Sequence, residues 1–217
     1  YLGWLARQDK QAARLAWEAE LAGLEEGTQL ARPTPGGEPV LPETVRMELS
    51  EELTAGLGEL SRRHRLTINT VLQGAWGIVL SRLTGREDIV FGITVSGRTP
   101  EIGGIENMVG LFINTLPLRV RIRSQERLAE ILSRLQERQS EMIAHQHLGL
   151  TEIQRLAGIG ELFDTLMIFE NYPVERRALE DAAPGLSIKS VEGWDATHYP
   201  LSLVAAPGER LRLRWQS

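Results

Sequence analysis

Residues 85–119 constrain the fold of this chain more than any other stretch. Residues 89–95 are almost entirely apolar, as is typical of a strand that is covered on both faces of a sheet. A polar turn and a glycine-rich loop follow, and residues 111–122 predict a second strand that begins apolar and then alternates. The two strands would bring three polar side chains to one loop-rich edge, which is typical of the wall of a site: Ser96, Arg98 and Asn114.

The periodicity of the whole chain predicts an α/β fold, with about six strands in one mixed sheet and helices packed on it. Helices are predicted over residues 2–23, 50–64, 67–84, 124–145 and 149–156. Further strands are predicted over residues 45–49, 163–169, 186–191, 201–205 and 211–215. A charged surface segment is predicted over residues 174–185.

The domain organisation follows from a stretch rich in proline and glycine. Residues 24–44 are predicted to be a linker, because these residue types break regular structure. The linker would join an N-terminal helix, residues 1–23, to a lobe formed by residues 45–217. Both ends of the chain lie within predicted elements, so we expect a fragment of a longer polypeptide.

Helix ends and buried faces are also predicted from residue types and spacing. Ser50 and Thr67 should cap helix N-termini, and Gly85 should end the second of these helices. The predicted buried stripe of the helix that Ser50 caps is Leu53, Leu57 and Leu60. The predicted inner face of the helix that Thr67 caps is Val71, Leu72, Ala75, Trp76, Val79, Leu80 and Leu83. The buried face of the N-terminal helix is Leu5, Ala12, Leu15, Ala16, Ala19 and Ala22. The alternating Arg119, Arg121 and Arg123 are interpreted as a solvated strand face.

Composition narrows the possible functions of the 217-residue chain. It has no cysteine, which excludes disulfides, thiolate metal sites and a cysteine nucleophile, and fits a cytoplasmic protein. The formal net charge of −5 does not indicate general affinity for nucleic acid. We expect no membrane segment, because no apolar run is long enough to span a bilayer.

The residues alone do not identify a catalytic set. Ser96 lacks the glycines of a nucleophile elbow two residues to either side, which favours a turn serine. The glycine-rich loop lacks the lysine and spacing of a phosphate cradle. His145 and His147 lack companions at metal-ligand spacing, so surface or capping roles are favoured, and His198 is interpreted as structural.

Several ordered segments closely resemble the condensation domains of nonribosomal peptide synthetases. They are GREDIVFGITVSGR, NMVGLFINTLPLR, TINTVLQGAWGIVLSRLTG, HQHLGLTEIQR, FDTLMIFENYP and HYPLSLVAAPGERLRLRWQS. The resemblance implies a chloramphenicol-acetyltransferase-like fold of two lobes with the active site between them. It implies donor and acceptor peptidyl carrier proteins and an adjacent adenylation domain as partners. The carriers would deliver phosphopantetheine thioesters, and the chain itself would bind no cofactor directly.

The family's catalytic signature, HHxxxDG, is absent from this chain: no two histidines are adjacent and no aspartate precedes a glycine. The resemblance therefore implies the C-terminal lobe, without the N-terminal lobe that carries the catalytic histidine. The parent would be an amide-bond-forming acyltransferase, and the isolated chain is predicted to be inactive.

The resemblance also implies roles for residues of the tunnel and the lobe interface. Arg98 would form an ion pair with the aspartate of the missing signature, and Ser96 and Gly97 would lie beside it. Asn114 would lie near the acceptor channel and hydrogen-bond a thioester or pantetheine group. Gly110 would permit a close backbone approach, and Phe112 is interpreted as core.

Two other functions remain open at this point. The parent could be a catalytically inactive relative that recruits another enzyme, or an epimerisation or heterocyclisation relative. The residues upstream would separate these possibilities: an intact HHxxxDG favours condensation or epimerisation, DxxxxD favours heterocyclisation, and a degraded motif favours recruitment.

Overall fold

The computed structural model of this chain describes residues 1–31, 43–170 and 197–217. The α-helices are α1 Leu2–Leu5, α2 Lys10–Leu21, α3 Glu51–His64, α4 Ile68–Thr84, α5 Leu128–Met142 and α6 Leu150–Ala157. The strands are β1 Thr44–Glu48, β2 Asp88–Val95, β3 Asn114–Arg121, β4 Thr165–Phe169, β5 Leu201–Ala206 and β6 Arg212–Gln216. Short 3-10 helices cover Ile105–Asn107 and Ile143–His145.

The described strands form one mixed six-stranded sheet in the order β1-β6-β5-β4-β2-β3, which confirms the predicted fold class. The pairs β2–β4 and β4–β5 are parallel, and the other neighbours are antiparallel. The predicted strand at residues 186–191 and the predicted surface segment at 174–185 lie outside the described residues.

Helices pack on both faces of the sheet near β3. Gly77 of α4 lies against Val120, where an added Cβ would be only 3.1 Å from the valine side chain. The adjacent Arg119 points to the opposite face, because successive strand residues alternate, and donates to carbonyls at the end of α2. The interior strand β2, between β4 and β3, is buried over Ile89–Ile93, as expected of a strand covered on both faces.

The predicted caps are confirmed for the two helices that precede β2. The Ser50 side chain accepts a hydrogen bond from Leu53 N at 3.2 Å, and Thr67 accepts one from Thr70 N at 3.0 Å. Gly85 ends α4 with a left-handed conformation, φ 70°.

The N-terminal helix differs from the prediction, because it is two helices. Asp9 starts a new helix by accepting a hydrogen bond from Ala12 N, which interrupts the periodicity after Ala6. The predicted buried face was also wrong: Leu15 is 55% exposed, whereas Ala13 and Trp17 are buried.

The first part of the predicted linker, residues 24–31, is packed against the sheet. Thr28 is fully buried and bridges to Phe163 in parallel register. Its hydroxyl accepts a hydrogen bond from Val90 N, and Asp164 accepts from the backbone of Leu30 and Ala31. Residues 32–42 lie outside the described residues.

Two further burial predictions need correction. Leu53 and Leu60 of α3 are exposed. Ala75, Val79 and Leu83 of α4 are also exposed, because α4 turns its glycines toward α5 and β3. Arg119 is buried and therefore is not part of a solvated strand face. Among the described residues, no helix combines the length and the hydropathy needed to cross a membrane.

Candidate functional site: a cleft at the end of β2 and β3

A cleft of about 500 Å³ opens where β2 ends and β3 begins. The antiparallel register places Val95 opposite Asn114, so the segments that follow β2 and precede β3 lie side by side. The cleft is completed by α1 and by the turn that follows α5. Four of the five residues predicted to line the tunnel or interface lie here: Ser96, Gly97, Arg98 and Asn114.

Arg98 is held by the loop that it precedes. Its guanidinium donates to the carbonyl oxygens of Ile105 and Met108, the latter at 3.1 Å from both terminal nitrogens. Its Cζ atom lies 4.6 Å from the centroid of the Phe112 ring, a cation–π contact. No carboxylate in the described part of the chain forms a salt bridge with Arg98, so its positive charge is not compensated there.

Gly97 permits the close contact between the two segments. Its φ is 62°, and an added Cβ would overlap the carbonyl oxygen of Phe112. β3 begins at Asn114 and not at Leu111 as predicted, so Phe112 precedes the strand. Gly110 does not line the cleft, and an added Cβ there would lie 3.3 Å from the Phe112 ring.

Asn114 links β3 to the turn after α5. Its side-chain Nδ2 donates to the carbonyl oxygens of Gln146 at 2.9 Å and Leu148 at 3.0 Å. Because both N–H groups are used, the chemistry that the amide can offer a ligand is acceptance of a hydrogen bond by Oδ1.

An aromatic wall, which the sequence interpretation missed, forms one side of the cleft. The Tyr1 ring packs edge-on against Phe112 with centroids 5.0 Å apart, and stacks with Trp4 at 5.8 Å. Trp4 Nε1 donates to Glu101 Oε2 at 2.6 Å, which ties α1 to the loop after β2. Phe112 is thus half-buried at the cleft and not a core residue. Its neighbours come from distant segments, so helical spacing alone gives no signal for this wall.

The polar residues that were considered for catalysis each have a local contact, although His147 Nε2 is buried without a hydrogen-bond partner among the described residues. Ser96 is exposed, and its hydroxyl accepts from Arg98 N at 3.3 Å, as a turn serine does. His147 lines the cleft, with Nδ1 3.1 Å from Ala144 O and its ring edge-on to Trp4. His198 is exposed and packs on Tyr199. Across the ranges that the structure describes, no three ligating side chains are grouped as a metal site.

Sequence comparison gives consistent matches over the whole chain. The family model for the condensation domain matches residues 1–216. A linear gramicidin synthase protein from Brevibacillus parabrevis is 41% identical over 218 residues, which cover 97% of this chain and 3% of that protein. Bacitracin synthase 3 from Bacillus licheniformis is 38% identical over 216 residues, which cover 98% of this chain and 3% of that protein. The chain therefore spans a small part of these curated relatives.

Structural comparison gives the same fold. The first condensation domain of the calcium-dependent antibiotic synthetase, in complex with a substrate analogue, matches with a TM-score of 0.74 and 20% identity. That match covers 99% of this chain and 48% of the solved chain. The complex of the X-domain and OxyB from teicoplanin biosynthesis matches with a TM-score of 0.72 and 19% identity, over 94% of this chain and 47% of that one.

Proposed function

Because this chain belongs to the condensation-domain family of nonribosomal peptide synthesis, we propose that it is the C-terminal lobe of such a domain. The complete domain would join donor and acceptor thioesters that two peptidyl carrier proteins deliver. The acceptor amine would attack the donor carbonyl carbon, forming the C–N bond and breaking the C–S bond, with the thiol as leaving group. An adjacent adenylation domain and a cytoplasmic location remain predictions.

The observation that best supports this proposal is the surface around Arg98, which combines an unneutralised guanidinium with exposed apolar side chains. The guanidinium has no carboxylate partner in the described residues, and the loop beside it exposes apolar side chains to solvent. Val109 is fully exposed, Leu111 is 88% exposed and Ile113 is 49% exposed. A second lobe that supplied a carboxylate and covered these side chains would complete the face. We therefore propose that this face meets the lobe carrying HHxxxDG.

We propose that the cleft, with a volume of about 500 Å³ and a lining of polar and aromatic side chains, receives the pantetheine arm of a carrier protein. The arm contains amide N–H groups, for which Asn114 Oδ1 is the available acceptor, and an aliphatic chain that could pack on the Trp4 ring. When bound, the arm would supply the thioester. The residues of this chain would position it and exclude water, and such positioning can account for much of a rate enhancement. The isolated chain would be inactive, since HHxxxDG is absent.

The test uses the complete condensation domain with loaded carrier proteins. Arg98→Ala should lower peptide-bond formation by about tenfold or more, because removal of one partner leaves a charge unpaired in the interface. Arg82→Ala, at an exposed position on α4, is the matched control and should retain the rate. Equal rates and equal melting temperatures for Arg98→Ala and the parent would refute the interface role. Robust turnover by the isolated chain would refute the assignment to a lobe without the catalytic residue.

The same assay addresses the recruitment alternative. A complete domain that binds both loaded carriers but forms no peptide bond would favour a recruitment platform. A change of configuration at the donor residue without bond formation would favour an epimerisation relative, and formation of a ring in the product would favour a heterocyclisation relative.

A further inference from the structure

A second, smaller pocket lies at the outer edge of β3, away from the cleft. It has a volume of about 80 Å³, and its charged lining residues are Glu20, Arg119, Arg121, Arg123, Arg134 and Arg138. We call it the arginine pocket. Because Asn114 is at the cleft end of β3 and Arg121 at the other, the two sites are roughly 23 Å apart at about 3.3 Å per residue.

The arginine pocket arises from the spacing of its residues on two elements. Arg119 and Arg121 are two apart on β3, so their side chains leave the same face. Arg134 and Arg138 are four apart on α5 and lie on one side of the helix. Since β3 ends the sheet, the two sets meet along its free edge, where Arg134 donates to the carbonyl oxygen of Arg121 at 2.7 Å.

Three of the five arginines are neutralised by carboxylates of the chain. Arg119 binds Asp88 at 2.6 Å, and Arg134 binds Glu126 at 2.6 Å. Arg138 binds Glu20 at 2.6 Å and Glu141 at 2.7 Å. These bonds fix the three guanidinium groups and so define the walls of the pocket.

The other two arginines are not neutralised to the same degree. Arg121 approaches Asp88 only to 3.9 Å, and the Arg123 side chain forms no salt bridge with any residue that the structure describes. Burial, and then the neighbouring Arg119, lower the pKa of Arg121, the direction expected where cations crowd one another. A bound anion would relieve this repulsion.

We propose that the arginine pocket binds a phosphoryl group, free or at the end of a larger molecule. Guanidinium groups present paired N–H donors that match the oxygens of such an anion. The pocket has room for several water molecules, which one tetrahedral oxyanion could displace. The site is independent of the proposed condensation function, because it shares no residue with the cleft.

The test measures phosphate binding to the 217-residue chain by calorimetry and by thermal unfolding. Inorganic phosphate should raise the melting temperature above that in sodium chloride of equal ionic strength, since a ligand of the native state stabilises it by mass action. Arg121→Gln/Arg123→Gln should weaken phosphate binding by about tenfold or more, as expected when two charged donors are lost. Both side chains are partly or fully exposed, so the variant should fold.

The matched control is Arg62→Gln/Arg63→Gln, which removes the same charge from exposed positions at the end of α3. It should retain the affinity of the parent. Equal affinities for the two double variants would show that phosphate acts through net charge and would overturn the proposal. If the pocket variant fails to fold, Arg123→Gln alone serves, and an unchanged affinity would count against the site.

Parallel titrations with 4′-phosphopantetheine and AMP identify the source of the phosphoryl group. Similar affinities for both and for inorganic phosphate support a site for the phosphoryl group itself. A tenfold preference for one of the larger molecules supports that molecule as the natural source. No binding of any of the three below about 10 mM would overturn the proposal.

Discussion

Arg98 lies in the loop after β2 and Arg119 lies in the neighbouring strand β3, and the two side chains have opposite environments. The Arg119 side chain is 3% exposed, and it donates to both oxygens of Asp88 at 2.8 and 2.6 Å. Its remaining nitrogen reaches the carbonyl oxygens of Glu20 and Ala22, each at 2.9 Å. Arg98 instead donates to loop carbonyls and stacks on an aromatic ring, with no carboxylate partner in the described residues.

The comparison distinguishes an arginine whose charge is balanced within the chain from one that has no carboxylate partner among the described residues. Arg119 has its charge balanced and its donors used within the chain, so it joins α2 to the sheet. Arg98 is held in position by loop carbonyls, while no carboxylate of the described residues neutralises its charge. A side chain held in place without neutralisation is suited to an external carboxylate, because little further ordering is needed when the partner arrives.

The largest effect should come from Arg119→Ala. Truncation would leave Asp88 and two helix-terminal carbonyls without their donor, which should reduce the free energy of unfolding by about 3 kcal/mol. Arg98→Ala should cost about 1 kcal/mol, because it removes hydrogen bonds to loop carbonyls and the contact with the Phe112 ring but leaves no carboxylate of the described residues unpaired. Urea denaturation of the 217-residue chain, followed by far-UV circular dichroism, measures both values.

Arg119→Lys is the control for charge alone. This variant should recover part of the lost free energy of unfolding, because an ammonium group keeps the ion pair but cannot form the bidentate hydrogen bonds to Asp88. If the alanine variants at positions 98 and 119 lost the same stability, the contrast between the two arginines would be wrong.

A smaller loss of stability than for Arg119→Ala is expected from Gly97→Ala, which tests the close contact between the two segments at the cleft. The left-handed φ and the overlap of the new Cβ with the Phe112 carbonyl should cost about 2 kcal/mol. Gly103→Ala is the matched control from the same loop, because an added Cβ there meets no atom within 4 Å. In thermal unfolding, Gly97→Ala should have a clearly lower melting temperature than Gly103→Ala. Equal melting temperatures would contradict the close contact at Gly97.

Features fixed by short-range physics could be predicted from the sequence. The caps at Ser50 and Thr67 depend on a side chain and the backbone three residues later, and the apolar run of β2 requires burial on both faces. Faces decided by distant partners were predicted poorly. Leu15 has an apolar side chain but is exposed, because Trp17 docks on the carbonyl oxygen of His145.

The site shows the same limit. Ser96, Arg98 and Asn114 were predicted to lie together because adjacent strands bring their ends together, and all three line the cleft. The aromatic wall was missed because its contacts join distant parts of the chain. Trp4 and Glu101, for example, are 97 residues apart in the sequence and form their hydrogen bond only in the folded structure. Arg119 was assigned to solvent because strand alternation distinguishes two faces but does not reveal whether a helix covers the outer one.

The smallest effect concerns the pH dependence of stability at the Arg119 end of β3. The hydrogen bond from Arg134 is the main cause that holds the pKa of Glu126 below its ordinary value of 4.5, and burial opposes it. A carboxyl with a lowered pKa contributes stability that is fully present above 4.5 and is lost as the pH falls through the lower, folded value. Glu126→Gln should therefore cost about 1 kcal/mol at about pH 7 and less at about pH 3. Glu59→Gln, in an exposed pair with Arg63, should cost little at either pH. Urea titrations across this pH range measure both, and parallel profiles for parent and Glu126→Gln would show that this pair does not stabilise the end of β3.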